Sequence, residues 1–299
     1  MGLGLASWGH DLGNSAYQTW GASTIDNLRG RGLQLVFRGM ADRQSRWRLP
    51  SGVYNPVVSG DGRRWRDYEQ AAETPAPTLD ERPPRPRSPA FPEPGNDWFD
   101  RGCRPPRLDE ARPYGTEGGL ARPDPQTQQD LLEAAVGRFP DPRGTWIRLI
   151  NAEGPTEDPF RSTNAIDCAL AVLSTWHGEP SVAAPRLPEY DRVGKPVLSG
   201  ETGGVARAEQ WMGHRFEYLG QGRRAYLSIA QRLITGGHGA AAMLITRWPN
   251  GGSHAWNAVN SRGEVLWIDA QRGHMAVEPP YENVTGVFCV IIDHTGQRI

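Results

Sequence analysis

Apolar residues recur at helical spacing in several separate stretches of the chain. In QQDLLEAAVGRF (128–139), Leu131, Leu132, Ala135 and Phe139 mark one face, and the pattern stops at Pro140. The run from Ala165 to Trp176 is the strongest helix, and RAYLSIAQRLI (224–234) is a third, stopped by Gly236-Gly237. Near the N-terminus the pattern is weak, because Gly30 and Gly32 interrupt Leu28, Leu33, Leu35 and Val36. Short runs rich in β-branched and aromatic residues predict strands. They are TWIRLI (145–150), AAMLITRW (241–248), HAWNAVN (254–260), EVLWIDA (264–270) and GVFCVIID (286–293). Helices come first and closely spaced strands last. That order predicts an α+β domain with an antiparallel sheet rather than an alternating parallel one.

Composition divides the 299-residue chain further. About half of its 26 prolines fall between Pro75 and Pro125. Proline fixes φ and removes an amide donor, so this stretch reads as a semi-extended linker. The expected organisation is a small, partly helical segment over 1–74, a Pro-rich linker over 75–125 and a folded domain over 126–299. A formal net charge of -1 gives no electrostatic case for nucleic acid. No apolar run reaches membrane-spanning length, and the start lacks the pattern of a Sec signal. Cys103, Cys168 and Cys289 stand far apart, without the spacing of a zinc site or a disulfide framework, so no metal or other cofactor is expected.

Candidate chemistry gathers in two places. The first is the hairpin between 254–260 and 264–270. If its loop is Ser261-Arg262, His254 lies opposite Asp269. If the loop is Arg262-Gly263, His254 faces Gln271. Directly opposed Cβ atoms are roughly 5 Å apart, so either register gives the imidazole a polar neighbour. An acceptor on one ring nitrogen fixes the tautomer and frees the other for a nucleophile. His10, His177, His214, His238 and His294 read as loop or surface residues, and His274 has no assigned role.

The second place is the helix start, Ser162-Thr163-Asn164-Ala165-Ile166-Asp167-Cys168. Asn164 is placed to cap it, with Asp167 three residues on in a capping-box position. A cysteine in the first turn would have its thiolate favoured by unpaired amides, which can also donate to an oxyanion. The residue at that place is Ala165. Cys168 lies one turn deeper on a stripe with Val172 and Trp176 and reads as a core thiol. Cys289 is core by the same argument, and Cys103 is incidental to the linker.

Residues 126–299 resemble the papain-fold glutamine deamidase toxin domain found at the C-termini of actinobacterial polymorphic toxins. The segments that carry the resemblance are FPDPRGTWIRLINAEGP (139–155), STNAIDCALAVLSTWHGEPSVAAPR (162–186), GGSHAWNAVN (251–260), LWIDAQRG (266–273) and PPYENVTGVF (279–288). The resemblance implies a papain-like fold with a Cys-His-Asp site, His254 and Asp269 supplying the last two. The family's helix start reads Asn-Cys-x-x-Cys, and its first cysteine is the expected nucleophile. Here Asn164 and Cys168 match, and Ala165 stands in the nucleophile position. Three readings follow: a deliberate Cys→Ala replacement, a naturally inactive copy, or chemistry at Cys168. Asn164 and Gln271 are candidate supporting residues.

The implied activity is thioester-mediated deamidation of a protein glutamine. A cysteine peptidase or a transglutaminase would use the same triad, and a catalytically dead binding module would use none of it. The resemblance also implies a target protein with a reactive glutamine, a cognate immunity protein, and delivery into the cytosol of a target cell. The 1–75 segment could serve as a secretion scaffold.

Overall fold

The structure is a computed structural model, and it describes residues 97–152 and 154–299. The 1–74 segment and residues 75–96 of the expected linker lie outside the described residues.

Among the described residues there are five α-helices and six strands. The helices are α1 (Pro125–Ala134), α2 (Trp146–Leu149), α3 (Ala165–Trp176), α4 (Gly204–Met212) and α5 (Gly222–Gly236). The strands are β1 (Glu217–Tyr218), β2 (Ala241–Arg247), β3 (Ser253–Ser261), β4 (Glu264–Asp269), β5 (His274–Ala276) and β6 (Gly286–Ile292). They form one antiparallel sheet in the order β1-β6-β2-β3-β4-β5. This is the expected α+β plan.

Strand alternation sorts the side chains into two cores. Met243 and Ile245 of β2, Ala255 and Val259 of β3, and Phe288 and Val290 of β6 pack with α3 and α4. Leu244, Trp256, Ala258, Trp267 and Cys289 point the other way, onto Tyr226, Ile229 and Leu233 of α5. The sheet is therefore buried on both faces. That explains why β2 and β6 are continuous apolar runs rather than alternating ones. Helix α3 is buried all round from Asp167 to Trp176, although the sheet covers only one of its sides.

The other side is covered by chain that composition assigns to a linker. Residues 97–124 are packed, not extended. The Trp98 ring meets His177 and Trp211 at 5.2 and 5.5 Å between centroids. Leu108 and Leu120 are buried, and Arg112 reaches Asp167 of α3. Prolines here prevent regular structure, as expected, but the apolar residues between them still find a surface to cover.

Two further expectations change. TWIRLI is the one-turn helix α2, not a strand. Trp146, Ile147 and Ile150 are all buried, a spacing that one helical turn satisfies. Helix α1 ends at Ala134, short of Phe139, because Gly137 (φ 76°) and Phe139 (φ 51°) reverse the chain. Helix α4 and strands β1 and β5 were not anticipated. The two strands are only two and three residues long, too short to carry a period.

Candidate active site

The β3–β4 hairpin sets the position of His254. Ser261 pairs with Glu264 and Asn257 with Ile268, so the loop is Arg262-Gly263. Both loop residues have positive φ, 56° and 90°, the backbone of a two-residue primed turn. Gly263 tolerates that conformation in the loop, and its amide donates to Asn260 Oδ1 at 2.7 Å. The register that would set His254 squarely opposite Asp269 is therefore not formed. Asp269 ends β4 and reaches His254 diagonally, with Nε2 and Oδ2 3.0 Å apart.

Both groups are buried, and Asp269 Oδ2 is crowded with donors. Arg272 Nη1 donates to it at 2.8 Å, and the Tyr281 hydroxyl donates to it through a short bond. Arg272 Nη1 also lies 3.0 Å from His254 Nε2 and donates to Tyr281 Oη at 2.9 Å. Burial opposes the Asp269 charge, but the His254 ring, Arg272 and Tyr281 outweigh it and hold the carboxyl far below its usual range. Burial pushes the His254 imidazole down, Asp269 raises it, and the Arg272 guanidinium lowers it. A neutral ring with its proton on Nε2, facing the carboxylate, leaves a lone pair on Nδ1. That nitrogen is buried and has no hydrogen-bond partner. A lone pair of this kind can accept a proton.

By strand parity His254 shares the face of Trp256 and Ala258, while Asn257 points to α3 and donates to Ala169 O at 3.2 Å. The start of α3 is tied to the turn that follows Asp269. Gln271, in the 3-10 turn Ala270–Arg272, donates from Nε2 to Asn164 Oδ1 at 3.2 Å. Its carbonyl accepts from Asn151 Nδ2 at 2.8 Å. Asn164 Nδ2 in turn donates to Asn151 Oδ1 at 2.8 Å and Ala184 O at 3.1 Å.

This network corrects the expected cap. Asn164 occupies the N-cap position but makes no capping bond, since its carboxamide is committed elsewhere. Asp167 does not complete a capping box either. It is fully buried between Arg112 and Arg207, at 2.8 and 2.9 Å, and accepts from the Ala184 amide at 2.7 Å. The first-turn amides of α3 are thus left uncapped by both residues. Ala165, the first residue of the helix, is only partly buried.

Cys168 is a core thiol, 1% exposed, and burial together with Asp167 and Asp269 raises its pKa well above the usual value. Burial likewise raises Cys289, while Cys103 is exposed. His177 is not a surface residue. It is buried and contacts Asp97 at 3.1 Å, at the far end of α3.

Residues 163–274 match the family model described as "Papain fold toxin 1, glutamine deamidase". Over this stretch the chain is similar to papain-fold toxin domains of the glutamine deamidase family. The matched range spans the helix start, His254, Asp269 and Gln271, and excludes Arg112 and Tyr281. No curated protein and no solved structure matches the chain. Among the described residues, no helix is long and apolar enough to cross a membrane.

Proposed function

We propose that this domain is built to deamidate protein glutamine through a cysteine thioester, with residue 165 as the nucleophile position. The observation that carries the reading is the buried His254–Asp269 bond within a stretch similar to the deamidase family, with Nδ1 of the ring left unpartnered. With cysteine at 165, His254 Nδ1 takes the thiol proton and Asp269 orients the ring. The thiolate attacks the side-chain amide carbon of glutamine. First-turn amides of α3 stabilise the oxyanion, and Asn164 and Gln271 hold that turn in place. The imidazolium returns its proton to the leaving nitrogen, ammonia departs, and water hydrolyses the thioester to glutamate. The chain as it stands, with Ala165, is an inactive form. A deliberate Cys→Ala replacement accounts for the change most simply, since an active toxin is hard to produce.

A second reading rests on Ala165 itself: the fold has kept its surface and lost its chemistry, and acts as a binding module. In either case the partners are a target protein with an accessible glutamine and an immunity protein that covers the site. The place of action is the cytosol of a cell into which the protein is delivered.

Ala165→Cys separates the readings. A bacterial cytosolic lysate treated with this variant should show glutamine-to-glutamate conversion, a mass gain of roughly 1 Da, with ammonia release. Ala165→Cys/His254→Ala and the Ala165 chain should show neither. Cleaved peptides would indicate a peptidase, and cross-links with added amine a transglutaminase. An inert Ala165→Cys protein, or an active Ala165 chain, would remove the proposal.

A further inference from the structure

Tyr281 lies in the connection between β5 and β6, beyond the matched family range, yet it is buried against the centre of the site. Its hydroxyl donates to the Asp269 oxygen that His254 Nε2 also contacts, and accepts from Arg272 Nη1 at 2.9 Å. Its ring stands edge-on to His254 at 5.6 Å and is braced by Trp248 at 5.1 Å and Trp256 at 5.2 Å. Three donors therefore converge on Oδ2 of Asp269, while Oδ1 is buried without a partner.

We infer that Tyr281, working with Arg272, is a positioning residue that locks the Asp269 carboxylate as acceptor for His254 and limits how strongly that carboxylate can hold a proton on the ring. The inference rests on the proposed role of His254 and Asp269. A carboxylate oxygen shared by a phenol and a guanidinium has less electron density to offer an imidazolium. The histidine then remains a neutral base until the nucleophile gives up its proton. Burial keeps the Tyr281 phenol protonated, so it acts as a donor throughout. The charged and titratable groups facing the ring are Asp269, Arg272 and Tyr281. His274, opposite Asp269 on β5, is exposed.

Tyr281→Phe keeps the braced ring and deletes only the donor. In the Ala165 chain, the NMR titration midpoint of the His254 ring should rise by about half a pH unit or more. Arg272→Gln should shift it the same way, and gives a second measurement should either variant fold poorly. In the Ala165→Cys background, Tyr281→Phe should lower kcat about tenfold and leave KM unchanged. An unmoved His254 titration in both variants overturns the inference, whatever happens to activity. A moved titration with an inert Ala165→Cys enzyme upholds the positioning role and rejects the deamidase reading.

Discussion

Gln271 and Asn164 are joined side chain to side chain at 3.2 Å, across 107 residues of sequence, and this bond ties the start of α3 to the turn that follows Asp269. It works because Asn164 is fully buried and gives up its capping role. Each polar atom of its side chain has a partner within the domain.

Asn164→Ala should therefore cost far more than a lost cap. It strips a partner from Asn151 Oδ1, the Ala184 carbonyl and Gln271 Nε2, each of which stays buried. Unsatisfied buried groups of this kind cost about 1–3 kcal/mol each, so a total loss of about 3 kcal/mol is expected. Chemical denaturation should read it. Asn164→Asp should be as damaging despite its shape, because its oxygens would face Asn151 Oδ1 and Ala184 O. A loss below about 1 kcal/mol for Asn164→Ala would mean the network does not hold the helix start.

Asp167 governs stability in acid. Burial opposes its charge, but Arg112 and Arg207 override that and lower its pKa from 3.8. A carboxylate depressed in the folded state contributes fully above its unfolded value. The contribution fades as pH falls through that value towards the folded one. The urea midpoint of the Ala165 chain should hold near neutral pH and drop as pH falls below about 4. Asp167→Asn should flatten that drop and lower stability at pH 7 by about 3–5 kcal/mol, since two arginines lose their counter-charge in the interior. An unchanged acid limb in Asp167→Asn would assign the pH dependence to other carboxylates.

What the sequence made legible follows from where the determining contacts lie. Helix α3, helix α5 and strands β2, β3, β4 and β6 announce themselves through local spacing and composition, and His254 and Asp269 share one hairpin. Even there, pattern alone left two loops open, and the positive φ of Arg262 and Gly263 decides between them. Contacts formed across the fold leave no local mark. Arg112 meets Asp167 from 55 residues away, inside a stretch whose prolines suggest a spacer. Tyr281 reaches Asp269 from an irregular loop, and His177 finds Asp97 across 80 residues. Asp167 sits where a capping box belongs, and only the packed arginines divert it.

The hairpin loop offers a stabilising change. Arg262 adopts φ 56°, which costs a non-glycine residue, whereas asparagine accepts that region readily. Arg262→Asn creates the Asn-Gly pair preferred in primed turns and should raise stability by about 0.5 kcal/mol. Gly263→Val, at φ 90°, should lower it by about 1–3 kcal/mol. Thermal melts of the two variants should move in opposite directions. Movement in the same direction would argue for the Ser261-Arg262 loop.

Thiol reactivity tests the nucleophile position without any substrate. In the Ala165 chain Cys168 and Cys289 are buried with raised pKa values, and only Cys103 is exposed among the three. Iodoacetamide at pH 7 should therefore label Cys103 alone, as mapped by mass spectrometry. Ala165→Cys adds a partly exposed thiol in the first turn of α3, beside uncapped amides and within the proposed reach of His254 Nδ1. Its thiolate fraction, and hence its alkylation rate, should exceed that of Cys103 by about tenfold, and the excess should persist down to about pH 6. Ala165→Cys/His254→Ala should lose most of that excess and keep the part due to the helix amides. Rapid labelling of Cys168 in the Ala165 chain would move the nucleophile one turn deeper. Equal rates at 165 with and without His254 would disconnect the histidine from the helix start.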